Sequence, residues 1–261
     1  MAEPRDYVLP STDAESARLE RQASLYGGVD VLAPFLAERP AEVLDVGCGA
    51  GHFGRLVAGR LPDARVTGLE LDSGRLAQAR AASPLALVRG DMHALPFEAG
   101  CFDLVYVRFA LVHDRDPLRS LAEMTRVARP GGRVVALDMI HDGIWFSPDR
   151  PAFSRLLRKV LEIMRDRGLE PNQGLHLARA MDRAGLQQVQ MQVIPHLTRA
   201  PDAQFEACRD NWLETLASLS RQLAGQLDPG EVQAARDQIA RDHGGDTLLE
   251  ITVLASGRRA A

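Results

Sequence analysis

A doubly wound α/β fold with a mostly parallel sheet of seven strands and an antiparallel final strand is what this 261-residue sequence predicts. Three observations lead there. Short apolar runs alternate with helical stretches from Val43 to Ile140, the pattern of right-handed strand–helix–strand crossovers. The first run ends in a glycine cluster, Gly47-Cys48-Gly49-Ala50-Gly51. Two further strand-like runs, around Val189–Val193 and Leu248–Leu254, close the chain after a helical stretch.

Residues 12–38 read as helix, opened by a capping box at Thr12 and Glu15 and broken at Gly27-Gly28. Strand Val43–Val46 is followed by a helix over Phe53–Leu61, strand Val66–Leu71 by a helix from Ser73 to Ala82, and strands Leu85–Arg89 and Phe102–Val107 come next. Asp116 and Pro117 read as N-cap and first residue of a helix whose apolar face is Leu118, Leu121, Ala122 and Ala128. Arg129-Pro130-Gly131-Gly132 stops it, and Val134–Ile140 is the fifth strand. Val189, Met191 and Val193 alternate with glutamines, which predicts a strand wet on its glutamine face, with Pro195 placing it at an edge. Between the last two strands, Phe205, Cys208, Trp212, Leu216 and Leu219 form a helical stripe, and Asp228-Pro229-Gly230-Glu231 opens another helix. This divides the chain into an N-terminal helical lid (1–40), a ligand-binding core (41–141) and a remainder (142–261) that carries cap helices over about 142–170 and 200–243.

Composition narrows the function classes. The chain is 46% hydrophobic and 25% charged, enough to bury a sizeable core. A net charge of −4 offers no basic field for nucleic acid. No apolar stretch approaches the ~18 residues of a membrane span, and Met1–Asp6 lack a signal layout. Cys48, Cys101 and Cys208 are isolated and odd in number, as expected of free thiols in a reducing, cytoplasmic setting, and they make no structural zinc site.

Glycines after the first strand let the backbone approach a ligand closely. By itself such a loop would serve a nicotinamide cofactor, a flavin or S-adenosylmethionine. Three details narrow it. The sixth position of the loop, where a dinucleotide fingerprint has glycine, is His52. Asp45, on the strand itself, would crowd a pyrophosphate but suits the ammonium of a bound amino acid. Glu70 ends the second strand, 21 residues past Gly49, where a carboxylate can take both hydroxyls of a ribose.

Val43–Gly51 resembles motif I of the class I, Rossmann-like S-adenosylmethionine-dependent methyltransferases, and Val66–Asp72 resembles their second motif. Gly90–Phe97, Phe102–Val105, Leu111-Val112-His113 with Asp116-Pro117, and Glu123-Met124 through Pro130-Gly131-Gly132 continue the pattern in order. The resemblance spans residues 40–140 and is nearest the group of quinone C-methyltransferases and natural-product methyltransferases. It implies S-adenosyl-L-methionine as cofactor, S-adenosyl-L-homocysteine as product and a small-molecule acceptor. Carried over, Gly47, Cys48 and Gly49 cradle the methionine moiety, Asp45 helps hold its amino group, and Arg108 reaches its carboxylate. Glu70 binds the ribose and Leu71 lies against adenine, whose N6 meets the Asp91 carboxylate and whose N1 meets the Met92 N–H. The Asn/Asp-Pro-Pro-Tyr signature of adenine and glutamine-amide methyltransferases is replaced here by Val107-Arg108-Phe109-Ala110.

Candidate bases follow the fourth and fifth strands. His113 has a pKa suited to general-base work, though ordering the loop before Asp116 is the stronger reading of it. His141 lies nearer the acceptor side on position alone, with Asp114 and Asp142 beside the two histidines, whereas His176 and His196 are expected at the surface. Tyr7, Tyr26, Trp145, Phe146, Phe153, Phe205 and Trp212 gather in the lid segments, which suggests an apolar or aromatic acceptor. Two other readings stay open: a fold of this kind that binds the cofactor without transferring methyl, and a nicotinamide-dependent oxidoreductase.

Overall fold

The computed structural model describes residues 13–82, 85–241 and 244–261. The capping box at Thr12 and the aromatic Tyr7 lie outside the described residues. Helix α1 (Asp13–Ser24) and the short α2 (Ala33–Leu36) lead into β1 (Glu42–Val46), α3 (His52–Arg60), β2 (Arg65–Glu70), α4 (Ser73–Ala82), β3 (Ala86–Arg89) and β4 (Phe102–Arg108). Then come α5 (Pro117–Val127), β5 (Ala128–Met139), β6 (Trp145–Ser147), α6 (Pro151–Asp166), α7 (Leu177–Arg183), β7 (Leu186–Arg199), α8 (Ala203–Gln222), α9 (Pro229–Ala240) and β8 (Thr247–Arg259).

The sheet runs β3-β2-β1-β4-β5-β8, with β7 on the far side of β8 and the three-residue β6 continuing the β5 side. Strands β1 to β5 pair in parallel, and β8 is antiparallel to β5, β6 and β7. The sheet is therefore doubly wound with an antiparallel last strand, as expected, plus the short β6 that the sequence did not announce. Strand order reverses between β1 and β4, which opens a crevice at the carboxyl ends of those strands.

Both sheet faces are covered, which is why the buried positions of β1 and β4 are apolar or aromatic apart from Asp45. One face carries Leu44, Val46, Val105, Val107 and Met124 with α5 and α7. The other carries Val43, Leu104, Phe53 and Val57 with α2 and α3. A third cluster joins Tyr26, Phe146, Phe153, Trp212 and Leu216 beneath α6, α8 and α9.

Two local expectations change. The buried face of α5 is Ser120, Leu121, Met124 and Val127; Leu118 is half-buried and Ala122 exposed. The helix ends at Val127 because Ala128 turns to extended backbone and pairs with Phe102, and the Pro130-Gly131-Gly132 stop is absorbed as a bulge before Arg133 meets Leu104. On β7, Met191 and Val193 are 52% and 51% exposed rather than buried. A bulge at Gln188 shifts the register, and Val189 still packs on the cluster of Leu177 and Met181, but the seven-residue α7 covers only the start of that face.

The contrast is measurable by urea unfolding. Met124→Ala, at a fully buried site, is expected to cost about 2–5 kcal/mol. Met191→Ser is expected to stay within about 0.5 kcal/mol of the parent.

Candidate active site

A cavity of about 1000 Å³ opens over the carboxyl ends of β1, β2, β4 and β5. Its floor at one end is the loop after β1. Gly47 has φ 71°, and a Cβ there would come within 2.9 Å of the Ala110 Cβ. Gly68, in β2 under the loop, leaves room for Cys48: a Cβ would lie 2.8 Å from its Sγ. The Cys48 thiol is pushed up by burial and by Asp45 and Glu70. It fills space and stays protonated.

The loop N–H groups are already bonded within the protein. Gly47 and Cys48 donate to the Leu69 carbonyl at 2.8 and 3.0 Å, Gly51 donates to the Cys48 carbonyl at 2.9 Å, and Gly49 donates to Glu70 Oε2 at 2.9 Å. Glu70 Oε1 accepts from the Asp72 N–H at 2.8 Å. One carboxylate thus ties the glycine loop to the end of β2, and Gly49 and Glu70 share the same cleft.

Asp45, Glu70, Asp72 and Asp91 all line this end. Burial raises Asp45 to about 7; the Tyr106 hydroxyl and the Arg108 guanidinium pull it back, and Glu70 pushes it up. Leu71 is 38% exposed and Met92 half-buried beside it in the wall. Asp91 also caps its own turn, accepting from the His93 N–H at 2.8 Å. With four carboxylates present and the loop N–H groups bonded, this end repels a pyrophosphate and fits a cationic, ribose-bearing ligand.

The comparisons agree with that geometry. Residues 44–136 match the family model of the methyltransferase domain. Malonyl-[acyl-carrier protein] O-methyltransferase of Methylococcus capsulatus is 36% identical over 124 residues, covering 45% of this chain and 44% of that protein. Demethylmenaquinone methyltransferase of Renibacterium salmoninarum is 32% identical over 141 residues, covering 53% of this chain and 58% of that protein. The chain therefore spans about half the length of these curated relatives. Among solved structures, geranyl diphosphate C-methyltransferase from Streptomyces coelicolor, crystallised with S-adenosyl-L-homocysteine, shares the fold with a TM-score of 0.52 at 16% identity, over 92% of this chain and 82% of that one.

Arg108 lines the cavity but is engaged by the protein itself. One terminal nitrogen donates to the Gln22 and Leu25 carbonyls at 2.9 and 3.2 Å, and the guanidinium lies 4.6 and 4.4 Å from the Phe53 and Phe109 ring centres. It ties the end of α1 to β4, and burial lowers its pKa to about 10. Of the lid aromatics foreseen, Tyr26 and Trp212 reach the cavity; Phe153 and Phe205 are buried in the cap cluster and Trp145 is 58% exposed. His196 is not at the surface. It is buried on β7 and bonds Thr252 Oγ1 at 2.8 Å.

Sequence reasoning missed Asp138. Next to last in β5, it is buried and accepts from the Val112 and Met139 N–H groups at 2.9 Å each. It thereby pins the turn that carries His113, and an acid inside an otherwise apolar strand was the available signal. Burial drives His113 down to about 3, with His141, Arg75 and Arg18 adding to the effect. An imidazole so depressed is a weak base at neutral pH. Arg18 on α1 was also missed: it chelates Glu15 at 2.9 and 2.6 Å and reaches Asn211 Oδ1 on α8 at 2.9 Å.

A pH prediction follows from Asp45. Its folded pKa of about 7 lies above the ordinary ~3.9 of an unfolded chain. Its contribution is intact below pH ~4 and is lost as pH rises through about 7. The depressed His113 acts in the opposite sense, so a difference measurement is needed. Asp45→Asn is expected to gain stability relative to the parent between pH 4 and 7 and to hold that gain above. Urea unfolding of both apoproteins across this range checks it; a constant difference would refute the raised pKa.

Proposed function

We propose that the protein is an S-adenosylmethionine-dependent methyltransferase that transfers the methyl group to a small-molecule acceptor bound in the roofed part of the cavity. The observation that carries this reading is the anionic glycine-loop end, where Glu70 bridges the Gly49 and Asp72 N–H groups. The residues fit the cofactor. Glu70 keeps lone pairs on both oxygens that would take the ribose hydroxyls, Asp91 and the Met92 N–H would meet the adenine edge, and Leu71 would give it an apolar platform. Asp45 lies where the methionine amino group would be held, with the backbone of Gly47, Cys48 and Gly49 around the methionine stem. Arg108 serves this site by fastening α1 above it.

The bound cofactor supplies an activated methyl group on a sulfonium. The protein's work is to align the acceptor and keep water out. Helices α1, α6 and α8 do this, because Gln22, Leu161, Met164, Trp212 and Leu219 close the cavity from the side opposite the sheet. The relatives named above act, by their names, on malonyl-[acyl-carrier protein], demethylmenaquinone and geranyl diphosphate, so likeness leaves the acceptor open.

The free thiols and the net charge of −4 support a cytoplasmic, small-molecule role rather than one on nucleic acid. No helix among the described residues is long and apolar enough to cross a membrane.

Saturation with S-adenosyl-L-homocysteine at 100 times its dissociation constant is expected to add about 2.7 kcal/mol to stability, whereas a nicotinamide dinucleotide adds nothing. Glu70→Ala and Asp91→Ala should remain folded and bind the cofactor more weakly by calorimetry. Parent-like affinity in both variants would refute the placement. Labelled methyl appearing in no product across phenolic, quinone and amine acceptors would favour binding without transfer.

A further inference from the structure

Strands β6, β7 and β8 are apolar on the wrong side. Residues directly opposite one another in an antiparallel ladder project from the same face. Leu197 pairs with Leu249, which pairs with Trp145 on its other side, so these three make one row across β7, β8 and β6. Pro195 beside Ile251, Val193 beside Val253 and Met191 beside Ala255 make the next rows of that face. A Cβ on Gly174 would lie 3.1 Å from Val253 Cγ2, which seats the turn Gln173–His176, and with it Leu175, at the margin of the strip. The alternate residues of the same strands, His196, Thr198, Glu250 and Thr252, are polar and buried on the inner face. A strand with water on its outer face has the opposite pattern.

Five of the seven large apolar side chains exposed among the described residues belong to this strip: Trp145, Leu175, Met191, Val193 and Leu197, each at least half exposed. The other two are Leu56 on α3 and Leu71 in the cavity wall. Apolar residues scattered singly over a surface need no explanation, but a contiguous strip does. None of the five lines the cavity, so the strip is separate from the candidate active site.

We infer that this strip is a self-association face, on which a second copy of the chain packs sheet to sheet about a two-fold axis. Its charge pattern favours a copy. Between Leu186 and Thr198 there is no acidic residue, lysine or arginine, and the one histidine is buried. Two such strips meet without like-charge contacts, as an isologous interface requires. An anionic lipid surface would call for clustered basic residues, which the strip lacks, and the net charge of −4 is of the wrong sign. The area is also of the right size. At these exposures the five side chains offer on the order of 500 Å² per copy, within the ~300–600 Å² of the largest patch on a typical monomer. Face to face, two strips bury about 1,000 Å², where specific interfaces begin. An interface this small and this neutral is expected to associate in the micromolar range, so dilute protein is monomeric. The inference does not depend on the methyltransferase reading.

Sedimentation of the full-length protein across the micromolar range tests it. The parent is expected to pass from one chain mass to two. Leu197→Lys and Val193→Lys, both at exposed positions, should keep parent-like circular dichroism and each weaken dimerisation on the order of 10-fold or more. Leu56→Lys, away from the strip, should dimerise like the parent. A second readout needs no variant. The chain has two tryptophans and Trp212 is buried, so acrylamide quenching reports on Trp145, and that quenching should be lost as the dimer forms. If a lysine variant fails to fold, the quenching of the parent decides. The inference is overturned by a parent that stays monomeric throughout, by dimerisation that is as tight in both lysine variants, or by quenching that ignores association. A monomeric parent that floats with phosphatidylglycerol vesicles would assign the strip to a lipid surface instead.

Discussion

Two backbone N–H groups from different elements meet on one side chain, the Glu70 carboxylate, and the ligand-binding end of the molecule is organised around that meeting. Gly49 belongs to the loop after β1 and Asp72 to the start of α4. Charge-assisted hydrogen bonds of this kind contribute roughly 1.5–3 kcal/mol each. Their larger effect is geometric. With Val46 in register beside Leu69 and the Leu69 carbonyl accepting from both Gly47 and Cys48, the loop has no freedom to tilt away from β2. The carboxylate end of the cavity is consequently built before any ligand arrives.

The roof is attached by a few buried polar ties. Arg108 holds the Gln22 and Leu25 carbonyls. Glu250 on β8 accepts from the Tyr26 hydroxyl at 2.8 Å and the Trp212 indole N–H at 2.9 Å on the same oxygen. Burial raises the Glu250 pKa while those donors oppose the rise. Desolvating such groups costs free energy that apolar packing would not, so their value lies in register rather than strength. Because Tyr26 and Trp212 share one acceptor, the segment after α1 and helix α8 are placed relative to each other as well as to the sheet. Arg18 and Asn211 repeat the link between α1 and α8.

How much of this was legible depends on distance along the chain. The alternation of strands and helices, the glycine loop and Glu70 lie in local patterns with fixed periods, and they could be read directly. Asp45 and Asp91 could be read because a motif gave their neighbours meaning. The α5 face was misjudged because Ser120 is buried through a side-chain bond to Asp114 Oδ2 at 2.6 Å, six residues earlier and outside the helix, which no apolar count anticipates. The β7 face was misjudged because alternation reports which residues share a face and not whether a helix covers it; Leu197, on the same side as Met191, is 71% exposed. The Arg108 contacts were hidden for a similar reason, since its partners lie 83 and 86 residues earlier. The orientation of His141 depends on Pro171, 30 residues later in a connecting segment without periodicity. Chemistry marked by a local motif was visible; chemistry assembled by the roof was not.

The cavity is electrically asymmetric, and this asymmetry constrains what the proposed reaction can do. Carboxylates gather at the glycine-loop end, whereas at the other end burial holds His113 and His141 below the ordinary imidazole range. A cation enters the first region at little electrostatic cost, whereas a charge left at the second would meet the desolvation that already depresses both rings. The apolar α6 wall of Leu157, Leu161 and Met164 excludes water there, which is the condition under which alignment of acceptor and methyl contributes most.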